Sequence, residues 1–359
     1  MLNQKRLERV NENLERIGLK QTIITDVMAV YYLVGKKLFS GERFLGFLVG
    51  SGVKPVLIVN ELNRFEEDLG VPVQYYKDGD PLVPIFADKV LHDEVLGVDK
   101  NMAAHFLLEL MEGNIVKGFA NGSLAVDRTR AIKEEEEKEK MRRSSRINDL
   151  AMAKFKELIH EGVTEREVAS HMPGIYKALG AERQAFAIVA FGENSADPHH
   201  MPDDTVIKEG DTVLFDVGCV FEDYNSDMTR TFFYKKYPEP EAERIYNLVK
   251  DANEAAEAML KAGVSLKDVD SAARDIITEG GYGPDFTHRL GHFIGLEVHE
   301  YGDVSQANPN LTEAGNIFSI EPGIYHRAIA GVRIEDLVIV TEDGCEVLNS
   351  FPKEIEVIG

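Results

Sequence analysis

The sequence predicts a chain of two parts: an α/β domain over residues 1–125 and a larger α+β domain over 149–359, joined by a helical linker region at 126–148. Three observations carry this. The chain has 359 residues, beyond the roughly 250–300 at which a single hydrophobic core stops growing. In the first third, short apolar runs alternate with amphipathic stretches, as strands and helices in turn would. Beyond residue 150, long helical patterns mix with strand patterns punctuated by glycine, and the histidines of interest are concentrated there.

Residues 2–17 place Leu7, Val10, Leu14 and Ile17 on one face with charged residues between them, an amphipathic helix ending near Gly18. TIITDVMAVYYLVG, FLGFLVG and KPVLIV read as extended apolar runs, the last two as a hairpin around SGV. Helix-like stretches follow at 61–69 and 101–112, with the short strand EVLGVD between them. Residues 131–160 are a strong helix former with acid-to-base pairs four apart, Glu134/Lys138, Glu136/Lys140 and Glu139/Arg143. The acidic run at 134–137 reads as a solvated helix face. Further helical patterns occupy 241–262 and 265–280.

Composition narrows the function. With 40 basic and 62 acidic residues the formal charge is −22, so nucleic-acid binding by counterion release is not expected. No apolar run approaches the ~18 residues of a membrane span, and MLNQKRLERV has no apolar segment after its charges. A cytoplasmic protein without membrane contact is the expectation. The two cysteines, Cys219 and Cys345, read as free thiols in a reducing compartment.

The chemistry lies in four segments. DTVLFDVGCVFEDYNSDMTRTFF reads as two antiparallel strands turning at Phe221 and Glu222, which places Asp216 opposite Asp227. Two carboxylates facing across a ladder repel each other, and a divalent cation is the natural relief. In EPGIYHRAIAGVRIED, a turn centred on Ala328 places Glu321 opposite Glu335. If the two pairs converge, four carboxylates form an oxygen-rich site for hard divalent ions. FTHRLGHFIGLEVHE adds His288, His292 and His299, with His292 or His299 available as a ligand and the others for proton transfer or carbonyl polarisation. The loop GENSADPHHMPDD holds His199 and His200 between two prolines. Cys219 lies off the Asp216 strand face and is expected to point away.

At these residues the sequence resembles the superfamily of prolidase, aminopeptidase P, creatinase and methionine aminopeptidase, whose catalytic domain is the pita-bread fold. FDVG, SDMTRTF, GHFIGLEVHE, EPGIY and GVRIED stand in that family's order and spacing over about 130–355, and the first 125 residues are similar to the creatinase-type N-terminal domain. The resemblance implies two divalent metal ions, manganese or cobalt ahead of zinc or iron, held by Asp216, Asp227, His292, Glu321 and Glu335. It implies a metal-bridging hydroxide as nucleophile, Glu321 as proton shuttle, His199 rather than His200 as a substrate contact, and His299 steadying the tetrahedral intermediate. His288 is implied as a pocket residue, and Arg333 as a group that binds a substrate carboxylate or orients the bridge. The implied activity is hydrolysis of Xaa-Pro bonds in short proline-containing peptides, as an Xaa-Pro dipeptidase, with aminopeptidase P as the alternative. A non-catalytic or creatinase-like protein is the remote one. A homodimer is the family's expectation.

Overall fold

Residues Met1–Arg130 and Ala131–Gly359 form two units in the computed structural model, which describes the whole chain. In the first unit a six-stranded mixed sheet runs in the order β4-β3-β2-β1-β5-β6. Its strands are β1 (Thr22–Ile24), β2 (Gly46–Val49), β3 (Val56–Asn60), β4 (Val73–Tyr76), β5 (Val95–Val98) and β6 (Gly118–Asn121). Helices α1 (Gln4–Arg16), α2 (Val27–Val34), α3 (Leu82–Phe86), α4 (Ala104–Glu112) and α5 (Ser123–Ala131) accompany it. β2 and β3 form the hairpin expected from sequence, with Phe47 opposite Leu57.

Two expectations fail in this unit. The run TIITDVMAVYYLVG is extended only through β1. Asp26 then caps α2 by accepting from the Ala29 amide at 2.6 Å, and Gly35 ends that helix in the left-handed region at φ 71°. A side-chain oxygen at the N-cap and a glycine after the last turn overrode the β-branched run. The segment 61–69 is helical only over Glu61–Asn63.

The second unit contains helices α6 (Glu135–Lys156), α7 (Glu165–Ala178), α8 (Pro240–Met259) and α9 (Leu266–Glu279). Its strands are β7 (Arg183–Phe191), β8 (Thr212–Phe221), β9 (Tyr224–Asn225), β10 (Met228–Tyr234), β11 (Gly291–His292), β12 (Asp303–Val304), β13 (Ile317–Ile320), β14 (Gly323–His326), β15 (Ala330–Arg333), β16 (Asp336–Val340), β17 (Cys345–Val347) and β18 (Val357–Ile358). One core packs Met152, Phe155 and Tyr176 of α6 and α7 against Phe215, Val217 and Phe232 of the β8–β10 sheet. The other packs Tyr246, Val249 and Ala273 of α8 and α9 against Phe318, Ile324, Val332 and Val338. Phe215 and Val217 face the first core, so the intervening Asp216 projects from the opposite face of β8. Asn148 of α6 anchors that strand by donating to the Val217 carbonyl at 2.8 Å. On α6 itself, Glu136 pairs with Lys140 at 3.1 Å and Glu139 with Arg143 at 3.2 Å, whereas Lys138 pairs with Glu135 rather than Glu134.

The β8–β10 register differs from the expected one. Phe221 pairs with Tyr224 and Thr229 with Asp216, so Glu222 and Asp223 form the turn. Both lie in the left-handed region, at φ 45° and 73°, as a two-residue hairpin turn demands. Asp216 therefore faces Thr229, and Asp227 lies two residues further toward the turn. The shift is two residues, so both carboxylates stay on one face. The β14–β15 register does follow the sequence. Gly323 pairs with Arg333 and Tyr325 with Gly331, a spacing that extrapolates to Glu321 and Glu335 just beyond the ladder.

Candidate active site

Strand face and turn geometry bring the four carboxylates together. Ligand atoms of Asp227, His292 and Glu335 lie within 4.8 Å of one another. His292 Nε2 is 3.5 Å from Asp227 Oδ2 and 3.6 Å from Glu321 Oε1. Close backbone approach seats His292, because a Cβ on Gly291 would stand 1.8 Å from the Ser319 carbonyl oxygen. The His292 amide donates to Ser319 Oγ at 3.0 Å, and that hydroxyl donates to Glu321 Oε1 at 3.1 Å. His292 Nδ1 lies 3.3 Å from the Phe293 carbonyl, which can only accept, so Nε2 is the lone-pair nitrogen of the neutral ring.

Burial and repulsion set the electrostatics. Asp227 is pushed well above the ordinary carboxylate range, first by burial and then by Asp216 and Glu321. Glu335 is raised likewise by burial and by Asp227, Glu321 and Asp216. Asp216 Oδ1, Asp227 Oδ1 and Glu335 Oε1 are buried with no hydrogen-bond donor. Buried carboxylate oxygens are rarely left so, and each spare lone pair points to a ligand position. One imidazole nitrogen with four carboxylates is an oxygen-rich donor set of the kind that divalent cations take. The residues present therefore fit the metal group the sequence implies.

A cavity of about 620 Å³ contains these groups, lined also by Phe186, Ile188, Pro198 and Val298. All nine residues singled out from sequence border it: Asp216, Asp227, His292, Glu321, Glu335, His199, His288, His299 and Arg333. His299 and His199 are exposed to it. Burial first, and then the neighbouring His292 and Arg289, lower His299 to about 4, so its ring is neutral near pH 7.

Arg333 is committed to the site itself. Its Nη2 donates to Asp216 Oδ2 at 2.7 Å, Nε to Thr229 Oγ1 at 3.0 Å and Nη1 to the Tyr325 hydroxyl at 2.8 Å. Thr229 in turn donates to Glu335 Oε2 at 2.7 Å. Of the two roles expected for Arg333, the geometry favours orienting the acidic cluster. His288 Nδ1 donates to the Arg289 carbonyl at 2.7 Å, leaving Nε2 to accept from Tyr325 at 2.7 Å. Burial lowers the His288 pKa, in keeping with that neutral tautomer.

His200 turns away from the cavity and donates from Nε2 to the wholly buried Glu165 Oε2 at 2.7 Å. The same carboxylate accepts from the amides of Phe191 and Asp203 and from Asn194 Nδ2. Glu165 thereby ties down both ends of the loop that presents His199. Sequence reading missed Glu165, Thr229 and Tyr325. Thr229 shares the DMTRTF strand face with Asp227, and Tyr325 shares a β14 face with Gly323, so period-two counting would have found both. Glu165 reads from sequence as an ordinary acid in the first turn of a helix.

Cys219 is buried against Ser144 and Ser226, off the acidic face as expected. No helix is long and apolar enough to cross a membrane.

Comparison with known proteins agrees with this geometry. Metallopeptidase family M24 matches residues 139–342, and the creatinase/prolidase N-terminal domain matches residues 6–132. An uncharacterized peptidase of Staphylococcus aureus strain MW2 is 40% identical over 339 residues, spanning 92% of this chain and 94% of that protein. Among solved structures, dipeptidase PepE from Mycobacterium ulcerans superposes with a TM-score of 0.93 at 32% identity, over 99% of this chain and 97% of that one. The prolidase from Pyrococcus horikoshii OT3 gives 0.87 at 33% identity, over 98% and 99%. A creatinase-type α/β unit followed by a pita-bread unit with an acid-and-histidine cavity defines the metallopeptidase class. The chain belongs to metallopeptidase family M24.

Proposed function

We propose that the chain is an Xaa-Pro dipeptidase, hydrolysing the peptide bond before proline in short peptides with two divalent cations held by Asp216, Asp227, His292, Glu321 and Glu335. The observation that carries the reading is the set of three buried carboxylate oxygens without donors, clustered around His292 in a cavity of peptide size. The dipeptidase and prolidase relatives, similar along nearly the whole chain, support the substrate class.

Bound there, manganese or cobalt would supply an acidified water and electrophilic pull on the scissile carbonyl. The remaining steps belong to the chain's own groups. Phe186, Ile188 and Val298 offer an apolar wall for the pyrrolidine ring. Proline's tertiary amide has no N–H, so selection rests on this ring contact rather than on a hydrogen bond. His199 contacts the substrate backbone. Neutral His299 donates an N–H to the carbonyl oxygen as negative charge develops. The Glu321 carboxylate takes the proton of the attacking water and delivers it to the departing proline nitrogen. Arg333, through Asp216 and Thr229, holds the carboxylates in register.

The test is proline release from Ala-Pro and Leu-Pro, beside cleavage of Ala-Pro-Pro, with Mn²⁺ present and after chelation. Dipeptide hydrolysis lost on chelation is expected. Cleavage of Ala-Pro-Pro with poor cleavage of Ala-Pro would change the assignment to aminopeptidase P. No hydrolysis of any of the three in a Mn²⁺-loaded chain would remove it.

A further inference from the structure

Behind the acidic cluster lies a second buried network that the proposed chemistry does not use. Its centre is Lys353, eleven residues past the segment that matches the M24 family, which ends at residue 342. The Lys353 ammonium donates to Asn253 Oδ1 at 2.6 Å and to both Glu257 oxygens at 2.8 Å, and faces Asp336 Oδ2 at 2.7 Å. Lys353 is 15% exposed at its side chain, Glu257 12% and Asp336 not at all. These are not exchangeable surface ion pairs.

Two of the three partners of Lys353, Asn253 and Asp336, reach the backbone that carries a proposed ligand. Asn253 Nδ2 donates to the Ile320 carbonyl at 2.9 Å and to the Ile334 carbonyl at 3.4 Å, the residues preceding Glu321 and Glu335. Asp336 follows Glu335 directly and pairs with Ile320 across the β13–β16 ladder. Its other oxygen accepts from the buried Arg230 at 2.7 Å, and Arg230 also donates to the Glu335 carbonyl at 2.7 Å. Arg230 is fixed in turn by the carbonyls of Phe351 and Pro352. Two cations, Arg230 and Lys353, face two acidic side chains, Asp336 and Glu257, in this network. Without Lys353, Asp336 would keep only Arg230 and Glu257 would lose its cation partner, and Asn253 would lose the partner that orients its amide.

We propose that Lys353 is a positioning residue for the metal centre, holding the Glu321 and Glu335 backbones at their spacing through Asn253 and Asp336. The inference rests on the metal-dependent reading above. Groups that support metal ligands from behind typically contribute about 10- to 100-fold in metal affinity or activity.

The experiment titrates Mn²⁺ alone into the chelator-stripped full chain by calorimetry, with a Co²⁺ absorption spectrum as a second readout. Lys353→Met is expected to weaken Mn²⁺ binding about 10-fold or more and to alter the Co²⁺ spectrum, and Lys353→Arg to recover most of the loss. Unchanged Mn²⁺ affinity in Lys353→Met overturns the inference, as does a lowered melting midpoint with affinity intact, which marks a purely structural lysine. If Lys353→Met does not fold, Asn253→Ala is titrated instead, with the same expected loss and the same overturning result. A parent chain that takes up no Mn²⁺ overturns the metal reading itself and this inference with it. A parent that binds Mn²⁺ beside an equally tight variant overturns this inference alone.

Discussion

Two clusters in the second unit bring the ligand atoms of two acids and a histidine within 4.8 Å of one another, Asp227–His292–Glu335 and Glu165–His200–Asp203. Only the first has buried lone pairs to spare. Both oxygens of Glu165 are taken by two amides, an asparagine and His200, whereas Asp227 Oδ1 and Glu335 Oε1 are buried with no donor. Glu165 is a finished structural node, and the carboxylates around His292 are an unfinished one. Proximity of acids and histidines is therefore a weak signal of a metal site, and unsatisfied oxygens are the discriminating one.

The largest effect expected is at the unfinished cluster. Asp227→Asn or Glu335→Gln should lower Mn²⁺ affinity more than about 100-fold, beyond what supporting residues contribute, with peptidase activity falling alongside. Calorimetry and proline release measure both, and a fully active, well-folded Asp227→Asn chain would break the comparison. The metal-free form should show the opposite sign in stability. Removing one of several like charges packed in a buried site relieves repulsion, so chelator-treated Asp227→Asn should melt above the chelator-treated parent by calorimetry.

The finished cluster should behave differently. Glu165→Gln weakens the charge-assisted bond to His200 and unsettles the loop carrying His199. We expect kcat/KM to fall about 10-fold, the order of one such hydrogen bond, with Mn²⁺ affinity unchanged. A matching loss of metal would mean that the two clusters are not independent.

Glu257 gives the smallest effect and sharpens the middle ground, since it has a cation partner yet stays perturbed. Burial and the Asp336 carboxylate push it up to about 7, against roughly 4.3 in an unfolded chain. The native state then holds that proton more tightly, so stability falls as pH rises between those values. Glu257→Gln should flatten the slope of melting midpoint against pH across that window, and an unaltered slope would count against the shift.

The legibility of the site in the sequence followed its geometry. Period-two alternation put the four carboxylates on inward faces, and a two-residue error in the β8–β10 register did no harm because it preserved the face. That error had a physical source. Glu222 and Asp223 adopt left-handed backbone without the Asn-Gly or Gly that normally announces such a turn. The β14–β15 turn was read correctly although it is longer and the strands it joins carry Gly323 and Gly331. In the first unit, the apolar run through Val34 concealed a helix because its two ends, the Asp26 cap and Gly35, decided the outcome. What stayed hidden was support from residues distant in sequence, such as Glu165 under His200 or Lys353 under Glu335. Local pattern contains nothing about such pairs.

The segment around Lys353 also constrains how the protein reaches its native state. Ser350 is tied to Asp149 across 201 positions, Glu356 to Lys156 across 200 and Phe351 to Arg230 across 121. β18 closes the edge of β10 in parallel, and parallel pairing between distant segments is among the slower steps in folding. On a chain emerging from the ribosome, the hairpin bearing Asp216 and Asp227 is complete long before that closure. It waits with an open strand edge and an uncompensated Arg230, a stretch of synthesis in which edge-to-edge aggregation competes with folding.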